Sequence, residues 1–532
     1  MEDKPVLVNG DEAVAMAALD AGITLGCGYP GTPSTEILET FSALGGRAQW
    51  APNEKVALEV AVGAAFGRGR ALATMKHVGV NVAADPLFTA AYTGCSGALV
   101  IAVADDPGMA SSQNEQDSRR YAVAAGVPML EPADSQQAYD FMAEAIRLSE
   151  QFGTPVFLRL TTRICHSKTM VRRRSFPAAP KPEFVSDIPA RVMVPAYSRP
   201  AHRRLRQRLA EIQAWNESSS LSIRHGESQE LGIIANGISV MHAREAAPEA
   251  AVLQVGMTYP LPVETLRAFA DSVKRCVVIE EGDPVIADAC RAEGLSIESA
   301  PGMYRFGELN VAKVRRILAG DTTPEPVRPP GKPPQLCMGC PHRLVFEALR
   351  DEACLVTGDI GCYTLGVLAP FEAMHTCVCM GAALGVGLGL RHVLPSEEAR
   401  RVVSVIGDST FMHSGITGLL EMAYNPPETG HVVVVLDNGT TAMTGLQEHP
   451  GTGRKLDGSP ARQILPEDLA RAMGIDRVTV LDMDNQGSGF RDALRADLDS
   501  GKLCMIVARR PCILSLRKQK KLADASKEGG AQ

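Results

Sequence analysis

The sequence predicts an α/β protein with three doubly wound parallel-sheet domains. Short apolar segments of strand length alternate with helical segments in three separate stretches, which is typical of parallel sheets covered by helices on both faces. Two proline-containing stretches interrupt this alternation. A length of 532 residues is several times the usual size of one domain, so three sizeable hydrophobic cores can form.

The interruptions set the expected boundaries. We expect a first domain at residues 1–175, a crossover linker at 176–228, a smaller second domain at 229–321, a Pro-rich linker at 322–336, a third domain at 337–515 and a polar tail at 516–532. The first linker contains one amphipathic helix near Arg203 to Trp215. The second is expected to be extended, because its prolines cannot pack in a helix or a central strand.

Composition excludes several classes of function. A net charge of -7 and a pI near 5.9 give no reason to expect nucleic acid as a partner. No apolar run reaches the roughly 20 residues that span a bilayer, and the opening residues lack the apolar core of a signal peptide. We therefore expect a cytoplasmic protein. Its thirteen cysteines are then expected to be buried, reactive or metal-bound thiols rather than a disulfide framework.

Two apolar runs of the third domain each end in a short polar turn. Gly407, Asp408 and Ser409 follow the first run, and Asn438 follows the second. Because parallel strands end at the same edge of a sheet, we expect Asp408 and Asn438 to lie side by side where such sheets bind ligands. Their oxygens suit Mg2+ that keeps part of its shell for phosphate. An ordinary βαβ unit with acidic turns would show the same pattern.

The same turns resemble the diphosphate motif of thiamine-diphosphate enzymes, with Gly-Asp-Ser and Asp-Asn where those enzymes have Gly-Asp-Gly and Asn-Asn. The first domain offers a matching segment. Glu54 opens a helix of small residues, and Gly63 follows nine positions later. This resembles the segment whose carboxylate protonates the aminopyrimidine ring of the cofactor and so favours its reactive tautomer. Glu54 could also be a first-turn acid favoured by the helix dipole.

Six further motifs resemble one family, the large α subunit of indolepyruvate:ferredoxin oxidoreductase within the 2-oxoacid oxidoreductases. The motifs are GYPGTPSTEI at 28–37, MKHVGVN at 75–81, ADDPGM at 104–109, CMGCPHR at 337–343, GDIGCYT at 358–364 and TAMTG at 441–445. The resemblance runs in unbroken order from about residue 5 to about residue 515. It implies a thiamine-diphosphate-binding fold with a pyrimidine domain, a transketolase-C-terminal-like domain and a diphosphate domain.

The resemblance also implies roles for individual residues. Glu54 would activate the pyrimidine, and Asp408, Asn438 and the carbonyl of Thr440 would hold Mg2+. The other residues implied to bind the cofactor are Gly31, Gly361, Gly407 and Ser409. Thr32 would lie near the reacting carbon, although it could also serve as a turn residue. His77 and His413 would contact the substrate carboxylate or relay protons, and each could equally be a structural histidine.

Four cysteines are implied ligands of one 4Fe-4S cluster by resemblance to the smaller catalytic subunits of related enzymes: Cys337, Cys340, Cys362 and Cys512. A zinc site with the same ligands is the main alternative, and buried cysteines without any metal are another. Cys377 and Cys379 are alternative ligands, although packing at a strand-to-helix junction fits them better.

Family members usually carry a C-terminal ferredoxin-like module with a CxxCxxCxxxCP run, whereas this sequence ends soon after Cys512. We therefore expect the two clusters of that module to be absent. Electrons would leave through the single cluster, a partner subunit or a different acceptor, so ferredoxin as the acceptor stays open.

The resemblance implies oxidative decarboxylation of an aryl 2-oxoacid, such as indolepyruvate or phenylpyruvate, to the acyl-CoA, with coenzyme A as co-substrate. It implies a small β subunit, an α2β2 assembly and cofactor sites between pyrimidine and diphosphate domains, often of different protomers. Two alternatives remain: a non-oxidative thiamine-diphosphate decarboxylase or carboligase, and a non-catalytic partner subunit.

Overall fold

The computed structural model describes residues 4–325, 334–483, 488–518 and 520. The chain divides into two compact units, Met1–Pro326 and Val327–Gln532. Both are α/β structures with mostly parallel sheets, which confirms the predicted fold class. Residues 326–333 of the predicted Pro-rich linker 322–336, and most of the predicted tail 516–532, lie outside the described residues.

The first unit begins with a large sheet whose strands β2 to β7 run parallel in the order β6-β7-β5-β4-β2-β3, while β1 and β8 form an antiparallel pair. The strands are β1 (Val6–Asn9), β2 (Leu25–Gly28), β3 (Ala48–Trp50), β4 (Arg70–Lys76), β5 (Ala98–Asp105), β6 (Met129–Leu130), β7 (Val156–Thr161) and β8 (Lys168–Val171). The helices are α1 (Gly10–Asp20), α2 (Thr35–Ala43), α3 (Glu54–Phe66), α4 (His77–Val82), α5 (Ala84–Thr93), α6 (Arg119–Ala125), α7 (Ser135–Phe152), α8 (Thr162–His166), α9 (Ile188–Arg191) and α10 (Pro195–Glu217). Strands β4 and β5 are buried along their whole length, as expected for strands covered on both faces.

A second sheet of the same unit has the order β14-β13-β10-β11-β9. Its region contains β9 (Ser222–His225), β10 (Leu231–Ala235), β11 (Ala251–Val255), β12 (Met257–Tyr259), β13 (Arg275–Ile279) and β14 (Glu298–Ser299), with α11 (Ser239–Ala246), α12 (Val263–Asp271), α13 (Val285–Ala292) and α14 (Val311–Leu318). Strand β12 leaves this sheet and pairs antiparallel with β6 of the first one. The two sheets therefore share one compact unit.

The predicted linker at 176–228 differs from a simple crossover. Helix α10 is longer than the helix expected near Arg203 to Trp215, and its Leu205 and Leu209 are buried in the core of the first sheet. Strand β9, at the end of the same stretch, is the antiparallel edge strand of the second sheet. The stretch thus belongs to the packed structure, because its apolar face has a core to cover.

Buried ion pairs connect the two sheets of the first unit. Arg159 bonds Asp105 at 2.7 Å and Glu131 at 2.5 Å, and Arg119 bonds Glu280 at 2.6 Å. Each of these side chains is at most 5% exposed. Glu280 follows β13 of the second sheet, and Asp105 ends β5 of the first. Because a charge left unpaired in such a site is costly, this network ties the second sheet to the first.

The second unit is built on a six-stranded parallel sheet with the order β16-β15-β17-β18-β20-β19. Its strands are β15 (Leu355–Gly358), β16 (Thr376–Cys377), β17 (Val402–Gly407), β18 (His431–Asp437), β19 (Arg477–Asp482) and β20 (Leu503–Arg509). Its helices are α15 (His342–Asp351), α16 (Ala382–Val393), α17 (Ser396–Ala399), α18 (Asp408–Thr410), α19 (Ile416–Tyr424), α20 (Pro466–Ala472) and α21 (Ser488–Ser500), and a π-helical turn at Phe411–Gly415 joins α18 to α19.

The strand order places a crevice at the carboxyl end of the sheet in the second unit. From β15 the chain moves to β16 on one side and then returns to β17 on the other side. The loops that follow β15 and β17 therefore diverge, and open α/β sheets bind ligands at such a point. None of the described helices is long and apolar enough to cross a membrane.

Candidate active site

Glu54 is a buried carboxylate at the start of α3. Asn53 caps the helix by accepting a hydrogen bond from the Val56 amide at 3.0 Å, and Glu54 is only 4% exposed. Gly79 of α4 packs directly on its side chain, since a Cβ atom at Gly79 would lie 2.7 Å from both Cγ and Oε1 of Glu54. The glycine in MKHVGVN therefore lets α4 approach the carboxylate.

Lys76, the last residue of β4, lies next to this carboxylate. Its side chain is buried, and its Nζ donates to the carbonyl of Ser111 at 3.0 Å. Burial lowers the pKa of the Lys76 ammonium to about 8, against the opposing negative charges of Asp106 and Glu54. The sequence interpretation missed Lys76, although a lysine that ends a fully buried strand is an available signal.

His77 follows Lys76 and is fully buried. Its Nε2 lies 3.0 Å from the carbonyl of Asn114, whereas its Nδ1 has no hydrogen-bond partner among the described residues. Burial lowers the pKa of His77, against the charge of Asp105. The ring is therefore neutral, donates from Nε2 and keeps Nδ1 as an acceptor.

Gly31 and Thr32 lie in the loop before α2, on the same side of the sheet. Both the amide and the hydroxyl of Ser34 donate to the Gly31 carbonyl, at 2.8 and 2.9 Å. A Cβ atom at Gly31 would lie 3.1 Å from Cδ of Lys76, and the Ser111 hydroxyl donates to the Thr32 carbonyl at 3.2 Å. Lys76 and the Ser111 loop thus bring together the first-domain residues singled out from the sequence: Gly31, Thr32, Glu54 and His77.

In the second unit, Asp408 and Asn438 follow the neighbouring strands β17 and β18. Asp408 is 3% exposed and accepts backbone hydrogen bonds from Ser409 and Gly439, each at 2.8 Å. Asn438 accepts a hydrogen bond from the Thr440 amide at 3.1 Å. The two side chains therefore lie in one polar turn at the carboxyl edge of the sheet.

Asp408 has the properties of a metal ligand. Burial raises its pKa, but His449 and the two backbone amides outweigh burial and hold the pKa below its ordinary value. The carboxylate is thus ionised, as a ligand must be. With the amide oxygen of Asn438 and the backbone carbonyl of Thr440 it offers only hard oxygen donors, and this donor set fits Mg2+.

Two histidines that the sequence interpretation missed face this pair. His342 Nε2 lies 3.4 Å from the Asn438 amide nitrogen, and burial lowers the His342 pKa to about 4, so the neutral ring accepts from that amide. His449 Nε2 lies 3.3 Å from Asp408 Oδ2. Burial lowers the His449 pKa, but the charge of Asp408 outweighs burial and the pKa is raised. His342 could have been singled out from the sequence because it lies in the CMGCPHR motif, whereas no motif of the sequence contains His449.

Gly361 and Gly407 lie against the ring of Tyr363. A Cβ atom would lie 2.4 Å from the ring at Gly361 and 2.7 Å from it at Gly407. The Tyr363 hydroxyl donates to Asp359, which also accepts from the Gly381 amide at 3.0 Å. Burial raises the pKa of Asp359 to about 7, against these hydrogen bonds. Both glycines thus have a packing role in addition to any role in cofactor binding.

Ser409 and His413 are the other two residues after β17 that were singled out from the sequence. The Ser409 hydroxyl shares a hydrogen bond of 2.7 Å with the hydroxyl of Thr441. His413 is buried on the π-helical turn, where its Nδ1 contacts the Ser414 hydroxyl. A Cβ atom at Gly381 would lie 2.6 Å from Cβ of Ser414, so this turn packs on the loop that begins α16.

Cys337, Cys340, Cys362 and Cys512 come together beside the Asp408 turn. Burial raises the pKa of Cys362 to about 11, and the other three thiols raise it further. Burial raises the pKa of Cys340 to about 11 as well, with contributions from Cys337 and Cys512. The amide of Cys512 donates to the carbonyl of Asn438 at 2.9 Å. Cys377 and Cys379 are exposed and lie near Asp359 instead.

A buried carboxylate at the start of a small-residue helix and a carboxylate–amide pair at the switch point of a parallel sheet define a thiamine-diphosphate enzyme. Residues 16–180 match the family model "Pyruvate flavodoxin/ferredoxin oxidoreductase, thiamine diP-bdg". Residues 359–508 match "Thiamine pyrophosphate enzyme, C-terminal TPP binding domain". The predicted cofactor, thiamine diphosphate, is thereby confirmed.

Two curated relatives match nearly the whole chain. The indolepyruvate oxidoreductase subunit IorA of Archaeoglobus fulgidus is 38% identical over 96% of this chain and 87% of its own length. The subunit of the same name from Pyrococcus abyssi is 37% identical over 96% of this chain and 87% of its own length. The chain belongs to this family of indolepyruvate oxidoreductase IorA subunits, as its sequence motifs predicted.

One solved structure shares the fold. It is the 2-oxoglutarate:ferredoxin oxidoreductase from Magnetococcus marinus, with a TM-score of 0.51 and 16% sequence identity, and the match covers 60% of this chain and 65% of that one. At this level of identity the likeness concerns the architecture alone.

Proposed function

We propose that this chain is the thiamine-diphosphate-binding subunit of an enzyme that oxidatively decarboxylates an aryl 2-oxoacid, of the indolepyruvate or phenylpyruvate type, to the acyl-CoA. The observation that carries the proposal is the group of four cysteines, because the backbone amide of Cys512 donates a hydrogen bond to the carbonyl of Asn438 in the proposed metal turn. A site for electron transfer next to the cofactor anchor is what an oxidative decarboxylase needs and a simple decarboxylase does not.

Thiamine diphosphate, when bound, supplies the nucleophilic carbon and the electron sink that decarboxylation of a 2-oxoacid requires. Within this proposal the first domain, 1–175, contributes Glu54, whose buried carboxyl group holds a proton at the pyrimidine ring. The third domain, 337–515, contributes Asp408, Asn438 and the Thr440 carbonyl as ligands of Mg2+. The loops with Gly31, Gly361, Gly407 and Ser409 line the cofactor.

Lys76 and His77 are proposed to act on the substrate. The Lys76 ammonium is a point charge in a buried site, and it attracts the carboxylate that every 2-oxoacid carries. His77 has a neutral ring with an open Nδ1, which can accept a proton. Thr32 is proposed to lie near the reacting carbon and His413 to relay protons.

The cysteines are proposed to hold one 4Fe-4S cluster. The thiols of Cys337, Cys340 and Cys512 all act on the pKa of Cys362, so the four sulfur atoms form one group. A 4Fe-4S cluster uses four such thiolates, one on each iron. A zinc ion held by the same four thiolates is the alternative.

The relatives are named as subunits, which indicates a multi-subunit enzyme. We infer a small β subunit as the partner and an α2β2 assembly. Coenzyme A is inferred as the acyl acceptor, and ferredoxin or another one-electron carrier as the electron acceptor.

The proposal is tested by anaerobic co-purification of this chain with a candidate small β subunit. Iron and acid-labile sulfide are measured first, and 2-oxoacids are then screened with a redox dye, with and without coenzyme A. We expect about four irons per chain and dye reduction with aryl 2-oxoacids. Active protein that contains no iron and releases the aldehyde would refute the oxidative assignment.

A pair of variants tests the cluster ligands. Cys340→Ser should lose bound iron and dye reduction while it still binds thiamine diphosphate, because the diphosphate anchor is unchanged. Cys379→Ser is the matched control, since this cysteine is exposed and belongs to the alternative ligand set. Loss of iron in Cys379→Ser but not in Cys340→Ser would reverse the ligand assignment.

A further inference from the structure

Three potential metal ligands meet in the first unit on elements that the proposed reaction does not use. Asp11 lies in the first turn of α1, Glu36 in the first turn of α2, and His166 at the end of α8. One ligand atom from each residue lies within 4.8 Å of the other two. These residues are far apart in sequence, so the fold itself builds the group.

Asp11 provides a separate observation that points to a ligand. It is fully buried, and no N–H or O–H group of the described residues donates to either of its carboxylate oxygens. The thiol of Cys165, a weak donor, hydrogen-bonds to Asp11. The buried Oε2 of Glu36 has no hydrogen-bond partner among the described residues. A buried carboxylate without a cation or donors is costly, so a structure normally supplies one.

The charged groups that act on Asp11 and Cys165 most strongly are acidic. Burial raises the pKa of Asp11 well above its usual range, with a further increase from the charges of Glu36 and Glu12. Burial also raises the pKa of Cys165 well above its usual range, and the charge of Asp11 adds to this. A bound cation would reverse both effects, because it stabilises the ionised forms.

We propose that Asp11, Glu36 and His166 bind a divalent transition-metal ion, of the class of Mn2+ or Zn2+, at a site separate from Mg2+ at Asp408. Two carboxylates and one imidazole form a donor set that suits these ions. Three protein ligands leave positions for water. His166 is exposed and Asp11 is buried, so the group extends from the protein surface inward.

The position of the site indicates what the ion would do. Helix α2 starts directly after the loop with Gly31 and Thr32, and Glu36 lies in its first turn. A metal ion shared by α1, α2 and α8 would hold the start of α2, and with it this loop, in place. The proposal concerns a structural ion and does not depend on the reaction assigned above.

The test uses the full-length protein with saturating thiamine diphosphate and Mg2+. Mn2+ binding is measured by titration with electron paramagnetic resonance, and the melting temperature is measured with and without Mn2+. We expect one bound Mn2+ per chain beyond any Mn2+ that replaces Mg2+ at Asp408, and we expect a higher melting temperature when Mn2+ is present. The variant His166→Ala should weaken this extra site at least tenfold.

Two further variants provide a control and a second test of the proposed ligands. Glu39→Gln removes an exposed acid from the same helix α2 and should bind Mn2+ as the wild type does. Asp11→Asn should lose the extra site. Equal Mn2+ binding and equal thermal shifts in wild type, His166→Ala and Asp11→Asn would overturn the proposal. The proposal would also be overturned if Asp11→Asn melted at a higher temperature than the wild type while Mn2+ left the melting temperature of the wild type unchanged. Asp11 and Glu36 would then share a proton instead of binding a metal ion.

Discussion

Replacement of Gly79 by alanine tests whether the position of Glu54 controls the reaction. The new Cβ atom would lie 2.7 Å from Cγ and Oε1 of Glu54 and 2.9 Å from its Cδ. Carbon atoms in favourable contact are separated by about 3.5 to 4.0 Å. Either the Glu54 side chain or α4 must therefore move by about 1 Å.

The expected magnitude follows from this displacement. A misplacement of about 1 Å in a catalytic group costs on the order of 100-fold in rate. Overpacking a buried contact costs about 1 to 3 kcal/mol of folding free energy. Gly79→Ala should therefore reduce kcat about 100-fold, while the protein stays folded and still binds thiamine diphosphate. The change removes no functional group, so the loss would report geometry alone.

The assay compares Gly79→Ala with two other variants under saturating cofactor. Glu54→Gln removes the acid and should lower kcat at least as far. Gly63→Ala is the matched control, because a Cβ atom at Gly63, in α3, would meet nothing within 4 Å. Circular dichroism and cofactor titration establish folding and binding. Wild-type turnover in a folded Gly79→Ala protein would show that the placement of Glu54 against α4 does not matter.

Three other predictions follow from the described contacts. The kcat/KM for the 2-oxoacid should fall as the pH rises through about 8, because Lys76 then loses its charge. In the variant Lys76→Met, KM should be higher and the pH profile of kcat/KM should no longer show this fall. Glu131→Gln should lower the free energy of unfolding by about 3 to 5 kcal/mol in urea titrations, because Arg159 loses a buried partner. Gly361→Ala should weaken cofactor binding about tenfold in fluorescence titrations, because its Cβ would displace Tyr363 and overpacking of this size costs about 1 to 3 kcal/mol. Unchanged affinity would show that Gly361 has a packing role alone.

Much of the fold was predictable because the strands of a parallel sheet are buried on both faces. Strand β17, with the sequence VVSVIG, and β18, with HVVVVLD, are nearly continuous apolar runs that end in polar turns. The same pattern indicated where Asp408 and Asn438 would lie. Strands β9 and β12 were not predicted, since both are short and their partners lie in other parts of the sheets.

The candidate site was predictable in part for a similar reason. Residues within recognisable motifs, such as Glu54 and the cysteines, could be singled out from the sequence. Lys76, inside the MKHVGVN motif, had the partial signal of a lysine that ends a buried strand, whereas His449 had none. The importance of both depends on neighbours that are distant in sequence: Glu54 and the Ser111 carbonyl for Lys76, and Asp408 for His449.

The sequence by itself determined the α/β class, the family and the thiamine-diphosphate cofactor, because these depend on strand periodicity and on short motifs that are local in the chain. Only the tertiary structure decided which polar groups are buried together. Burial controls the pKa of Lys76, the neutral ring of His77 and the raised pKa of Asp11. Such effects arise from contacts between distant segments, and no local pattern of residues records them.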